Sequence, residues 1–219
     1  MRSRTKGIAP AKSDEYFQTF IEHVHQLVWH GYSQLKHSTL SSLHEPAISG
    51  QICEQIEKYM DDPKASVWVS DYEIHDDPPV HDKSRDGKNR RRVDIKLASR
   101  RSRPRTRFCF EAKCLNKKSG AADYLGKDGL GQFVTASYAA TESHAGMLAY
   151  VQSEDCDAWC EKIQQKVDNK KHRLSDAGHW KAISITRVIQ HCYQTIHTRP
   201  RKLPNVVVLH TLLDCTSAN

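Results

Sequence analysis

The spacing of apolar residues predicts a helix first. Within residues 14–36, Phe17, Phe20, Ile21, Val24, Leu27 and Val28 recur every three or four positions, one stripe of a 3.6-residue period. Asp14 and Glu15 suit its first turn, where carboxylates meet the positive end of the helix dipole. A second helix starts at Glu45-Pro46, since proline is tolerated in a first turn. Ile48, Ile52, Ile56 and Tyr59 form its stripe, and the sequence DDPK at 61–64 stops it. The pattern then changes to strands. Residues 66–74, SVWVSDYEI, are β-branched and aromatic, and 76–89 carry the Pro, Asp and Gly of a turn. Residues 91–99 alternate Val93, Ile95 and Leu97 with Arg92, Asp94 and Lys96, and a basic turn at 100–106 leads to RFCFEAKCL at 107–115. Three strands joined by turns predict an antiparallel meander.

Downstream, 129–142 reads as a helix with Leu130, Phe133, Val134 and Tyr138 inward, and 146–152 as a fully apolar strand. Residues 155–170 and 180–193 read as two more helices, the latter carrying Ile183, Ile185, Val188 and Ile189, and 203–213 as a last strand. The order is that of one α/β domain, a mixed sheet of about five strands flanked by helices, spanning 14–219 behind a basic, flexible arm at 1–13.

At 219 residues, the chain is long enough for one substantial core. Its 38% apolar and 27% charged content is that of a globular rather than a disordered protein. No run of about 18 apolar residues predicts a membrane span, and the basic start lacks the apolar core of a secretory signal. Seven cysteines without a regular framework fit free thiols in a reducing cytoplasm. The net charge of +7 is unevenly spread. Residues 85–118 hold 14 Lys/Arg against Asp86, Asp94 and Glu111, so this stretch is at +11 and the remainder near −4. Such a block reads as a polyanion footprint, with Lys88, Arg90, Arg91, Arg92, Arg101, Arg103, Arg105, Lys117 and Lys118 as the phosphate-contacting candidates.

The basic block flanks an apolar strand that carries an acid and a base, Glu111 and Lys113. Burying a charge is costly unless it is paired or used. Two positions apart in a strand, the two side chains share a face opposite Phe110 and Ala112. Asp94 leaves the neighbouring strand on the face opposite Val93 and Ile95, so pairing of the strands would bring Asp94, Glu111 and Lys113 together. Two close carboxylates favour a hard, oxygen-seeking cation such as Mg²⁺. There, Lys113 would orient or deprotonate a water attacking a phosphodiester, or steady charge developing on the phosphate. The acid-x-Lys spacing occurs five times, at Asp62, Asp86, Asp94, Glu111 and Asp168. Asp94/Lys96 also lies in a strand and competes. The bland alternative is a surface ion pair. Cys156 and Cys160, with His172 and His179 downstream, offer a weaker zinc reading, because one-turn helical spacing is poor for a structural site.

RRVDIKL followed, after a basic turn, by FCFEAKC resembles the core of the PD-(D/E)XK nuclease superfamily, the fold of many restriction endonucleases and Holliday-junction resolvases. The resemblance covers about residues 45–152 and implies a restriction-endonuclease-like fold and Mg²⁺-dependent DNA cleavage, with Mn²⁺ as a substitute. It implies Asp94 and Glu111 as metal ligands, Lys113 as the catalytic lysine, the Ala112 carbonyl as a further metal contact and Glu45 as the helix acid, with Glu54 as the alternative. Gln132 matches a site glutamine of some members. Val93 stands where the proline of the family's name would be. Ala136 rather than tyrosine lies four residues after Gln132, so the RecB-like subgroup is not assigned. The implied settings are restriction, anti-phage defence, repair or mobile-element processing, with a homodimer or an ATPase/helicase partner. The alternatives are a nucleic-acid-binding or assembly subunit with little or no cleavage, and an RNA-directed nuclease.

Overall fold

The computed structural model describes residues 10–80, 87–169, 180–200 and 203–216. Helix α1, Pro10–Ser33, is followed by a single turn, α2, His37–Leu40, and by α3, Glu45–Asp61. The expected stripes are buried: Phe20, Ile21, Val24, Leu27 and Val28 of α1 pack with Ile48, Ile52 and Ile56 of α3. The helices approach so closely at Gly31 that a Cβ there would lie 2.6 Å from the Ile52 carbonyl oxygen, so only glycine fits. Helix α1 begins at Pro10 rather than Asp14, so 10–13 belong to a helix and not to an arm; residues 1–9 lie outside the described residues.

The described residues form one seven-stranded sheet. Its strands are β1 Tyr72–Asp76, β2 Ile95–Ser99, β3 Arg107–Leu115, β4 His144–Val151, β5 Lys181–Ala182, β6 Cys192–His197 and β7 Val206–Asp214. Their order is β1-β2-β3-β4-β7-β6-β5. The β1–β2–β3 meander is antiparallel, as expected, while β4 lies parallel to both β3 and β7. Alternation in β3 divides the core. Phe108, Phe110 and Ala112 face α1 and α3. Cys109 and Leu115 face the other layer. That layer consists of two short turns, α4 Ala121–Tyr124 and α5 Gly131–Val134, and helix α6 Cys156–Asp168. The molecule is thus a helix–sheet–helix sandwich.

The structure corrects four further expectations. The sheet has seven strands rather than about five, because 180–193 is not a helix. Cys192–His197 pairs antiparallel with β7, and Lys181–Ala182, across a loop, pairs antiparallel with Cys192–His197 in turn. Mixed spacings of two and three among Ile183, Ile185 and Val188 fit either period, and the open edge of β7 decides. Residues 129–142 hold only the one turn of α5. Leu130, Phe133, Val134 and Tyr138 are buried as expected, but Ala136 and Ala139 take φ of 57° and 47°, which breaks the helix. The segment before β1, Val67–Asp71, is a 3₁₀ turn rather than strand. Regular pairing of β2 starts at Ile95 rather than residue 91. Among the described residues no helix is long and apolar enough to cross a membrane, and all seven cysteines are free thiols.

Candidate metal centre

The site begins where β2 and β3 part. Their register ends at Ile95 opposite Phe110, and one further step sets Asp94 beside Glu111. Residues 91–94 instead follow 77–80: the Asp77 N–H donates to the Asp94 carbonyl and the Val93 N–H to the Pro78 carbonyl. On the β3 side, the Asp94 carboxylate takes over as acceptor. Its Oδ2 receives the Ala112 N–H at 2.6 Å, filling the place of a ladder bond. The sheet therefore opens a gap, and the gap is lined by carboxylates.

Glu45 enters from the opposite layer. His44 caps α3, its Nδ1 accepting the Ala47 N–H at 3.3 Å, and Glu45 is the first helical residue, where the dipole favours a carboxylate. Carboxylate oxygens of Glu45, Asp94 and Glu111 lie within 4.8 Å of one another. Lys113 Nζ donates to Glu45 Oε1 at 2.9 Å, to Glu111 Oε1 at 2.9 Å and to the Ala112 carbonyl at 2.7 Å. Glu111 is only 6% exposed, and its Oε2 has no hydrogen-bond partner.

One ammonium against three carboxylates leaves the pocket short of positive charge. Burial, opposed by the Ala112 N–H and reinforced by Glu45, pushes Asp94 up to about 6. Burial and then Asp94 push Glu111 up to about 8. Burial alone would lower Lys113, but Glu111 and Glu45 outweigh it and hold its ammonium above the ordinary lysine value. An ammonium so held is a charge and a hydrogen-bond donor at neutral pH rather than a base. The donor set, three carboxylates with one orphaned buried oxygen and a carbonyl alongside, fits a hard divalent cation.

Of the residues singled out in the sequence, Asp94, Glu111, Lys113, Glu45 and Ala112 converge. Glu54 does not: it pairs with Lys58 at 2.6 Å on the exposed side of α3. Gln132 is not among the acid cluster's hydrogen-bond partners; its Oε1 accepts from Arg91 at 2.8 Å and its Nε2 donates to the Lys127 carbonyl at 3.0 Å. The competing Lys96 lies two register pairs back from Asp94, opposite Cys109. The basic block is split. Arg101 pairs with Asp71 at 3.3 Å and Arg105 with Glu73 at 2.5 Å, in the β2–β3 turn that also holds Arg103, at the far end of β2 from Asp94. Arg92 pairs with Asp77 at 2.5 Å. Lys88 stands exposed in a short 3₁₀ turn, Gly87–Asn89, and Arg90 follows it. Lys117 and Lys118 are exposed just beyond β3, on a groove of about 620 Å³ that Glu45 also lines.

Two features escaped sequence reasoning. Tyr138, read only as core, donates its hydroxyl to the Arg92 carbonyl and is held from ionising by burial and then by the nearby Glu111 and Asp94. Gln152, at the end of β4, donates to the carbonyls of Leu40 and Leu43 at 2.8 and 2.6 Å and accepts from Asn116 at 2.9 Å. It thereby ties the turn leading into Glu45 to the end of β3. Both act across more than 30 residues of chain, where no local pattern signals them. Cys156 and Cys160 are buried core residues of α6, and His172 and His179 lie outside the described residues. Among the described residues Glu45, Asp94 and Glu111 form the sole cluster suited to a metal ion.

Comparison with protein-family models, with curated proteins and with solved structures finds no match to this chain.

Proposed function

We propose that this chain is a metal-dependent endonuclease of the PD-(D/E)XK type, with a restriction-endonuclease-like core, that hydrolyses phosphodiester bonds in DNA. The observation that carries the reading is the convergence of Glu45, Asp94 and Glu111 around a buried, unpartnered Glu111 oxygen, with Lys113 touching two of the three acids. Asp94, Glu111, Glu45 and the Ala112 carbonyl would hold Mg²⁺, or Mn²⁺ in its place. Such an ion supplies positive charge at the scissile phosphate and acidifies water.

The protein's own groups do the rest. Asp94, anchored on the Ala112 N–H, and Glu111, fixed in mid-strand, set the spacing of the site. Lys113 is already charged and within reach of both acids. It orients the attacking water and offsets negative charge that develops on the phosphate. Burial of the acids keeps bulk water from screening that charge.

The test incubates supercoiled plasmid, linear duplex, single-stranded DNA and RNA with the protein in Mg²⁺, Mn²⁺ or EDTA. Cleavage of DNA with either metal, absent in EDTA and in Asp94→Asn, is the expected result. Binding without cleavage would make the chain a binding module, and cleavage of RNA alone would redirect the substrate. Metal-dependent cutting that survives both Asp94→Asn and Glu111→Gln would overturn the site.

A further inference from the structure

The acid face of β3 continues into a second depression. Alternation puts Arg107, Cys109 and Glu111 on one face, and register puts Lys96 opposite Cys109. Next to that pair is a hollow of about 460 Å³. Lys96 and Arg107 line it from the sheet, Arg90 from the preceding loop, and Ser137, Thr141 and Glu142 from the loop after α5. Three cations face one carboxylate, with two hydroxyls beside them and apolar residues such as Val80 and Ala140 completing the wall. That is an anion-binding lining, in contrast to the acid cluster two register pairs away. Two strand residues separate Lys96 from Asp94, and likewise Cys109 from Glu111, or about 7 Å along the sheet. Tyr138, between Ser137 and Ala139 in the same loop, lies close enough to Asp94 and Glu111 to feel their charge.

We infer that this hollow is a phosphate subsite. It holds a phosphate of the substrate strand that neighbours the phosphate placed at Asp94 and Glu111. The inference rests on the nuclease reading for its substrate, a polynucleotide. It also gives Lys96 a role: it anchors the strand rather than serving the chemistry. The hairpin arginines Arg101 and Arg105, engaged by Asp71 and Glu73 at the other end of β2, take little part.

The experiment measures binding and cutting separately. Fluorescence anisotropy with a labelled DNA oligonucleotide in Ca²⁺, across a salt series, compares wild type with Lys96→Gln/Arg107→Gln, with Thr141→Glu and with Arg101→Gln/Arg105→Gln. Thr141 is exposed, so Thr141→Glu places an acid at the mouth of the hollow without disturbing the sheet, and circular dichroism checks that each variant is folded. The expected result is at least a tenfold loss of affinity in the first variant. Its log–log salt slope should be shallower by about 1.8, two phosphate contacts at about 0.9 each. Thr141→Glu should lose affinity in the same direction, and the hairpin variant should stay within about twofold. Unchanged affinity and slope in both hollow variants overturn the subsite, and if wild type still cuts with Mg²⁺ the nuclease reading survives. If wild type binds but never cuts, and the hollow variants lose binding, the subsite stands and the nuclease reading falls. If wild type neither binds nor cuts any nucleic acid, both fall.

Discussion

Glu111 has one carboxylate oxygen on Lys113 and the other on nothing. A cation is the natural second partner, and deprotonation must precede its arrival. With Asp94 pushed up to about 6 and Glu111 to about 8, metal affinity should rise steeply between pH 6 and pH 8. Titration of Mn²⁺ by calorimetry at pH 6, 7 and 8, in two buffers of different ionisation enthalpy, should show tighter binding and proton release; pH-independent affinity would contradict it. Asp94→Asn and Glu111→Gln should each weaken metal binding and cut the single-turnover rate by at least a hundredfold. Lys113→Ala should lower the saturating rate by orders of magnitude with little loss of DNA affinity, whereas Lys96→Gln should raise the Kd and leave the saturating rate near wild type. The reverse pattern would assign the chemistry to residues 92–97. At this scale much is legible in the sequence. Strand alternation is a local rule, so the order of residues alone joins Glu111, Lys113 and Asp94. The neighbourhood of Gln132, bonded to Arg91 and to the Lys127 carbonyl, depends on how the chain leaves α5. That depends on the positive φ of Ala136 and Ala139, which apolar spacing does not encode.

Elements hold the site through contacts that are long in sequence. Gln152 satisfies the Leu40 and Leu43 carbonyls and so fixes the turn that delivers Glu45. Gln152→Ala should cost about 1–3 kcal/mol by leaving those carbonyls unpaired. Because Glu45 loses its anchor, it should also lower the cleavage rate at saturating DNA beyond what a comparably destabilising core change produces. Chemical denaturation and single-turnover kinetics, measured on the same preparations, separate the two effects. Gly146 of β4 supports β3 from behind: a Cβ there would lie 2.2 Å from the Phe110 ring. Gly146→Ala should therefore destabilise by about 3 kcal/mol through overpacking; a change under about 1 kcal/mol would show that Phe110 can move aside. The helices α1 and α3 and the strands β3, β4 and β7 are legible from period alone, since each spans several turns or a fully apolar run. The β5–β6 edge is not, because Cys192–His197 becomes a strand only by pairing with β7.

On the scale of the whole molecule, charge is arranged less simply than the +11 block suggests, because folding carries its arginines to opposite ends of β2 and pairs several with Asp71 and Glu73. The most deeply buried groups with perturbed ionisation set the main features of how stability depends on pH. His25, between the rings of Phe108 and Phe110, is lowered to about 4 by burial, which outweighs its bond to the Ile21 carbonyl. Burial lowers His197 to about 4 as well, and holds His210, bonded to Tyr124 and Thr195, well below 6.5. Between pH 6.5 and about 4 the unfolded chain therefore binds up to three more protons at these sites than the folded one. Stability falls as pH drops through that window, by about 1.4 kcal/mol per pH unit for each histidine. Asp94 and Glu111 act in the opposite sense. Their folded values are raised, so the folded chain holds their protons where the unfolded chain has lost them, up to about pH 6 for Asp94 and about pH 8 for Glu111. At pH 5 three histidines oppose two acids, and stability still rises with pH. At pH 7 the histidines of the unfolded chain have lost most of their protons, Glu111 outweighs what is left, and stability falls with pH. The metal-free protein should be most stable a little below pH 7. Saturating Mn²⁺, which favours the deprotonated acids, should move that maximum upward, and Glu111→Gln should flatten the alkaline limb. Thermal midpoints from pH 4 to pH 9, in EDTA and in Mn²⁺, test this directly. A metal-free midpoint that climbs steadily to pH 9 would mean that Glu111 ionises without cost in the folded chain, and the case for a cation in the gap between β2 and β3 would go with it.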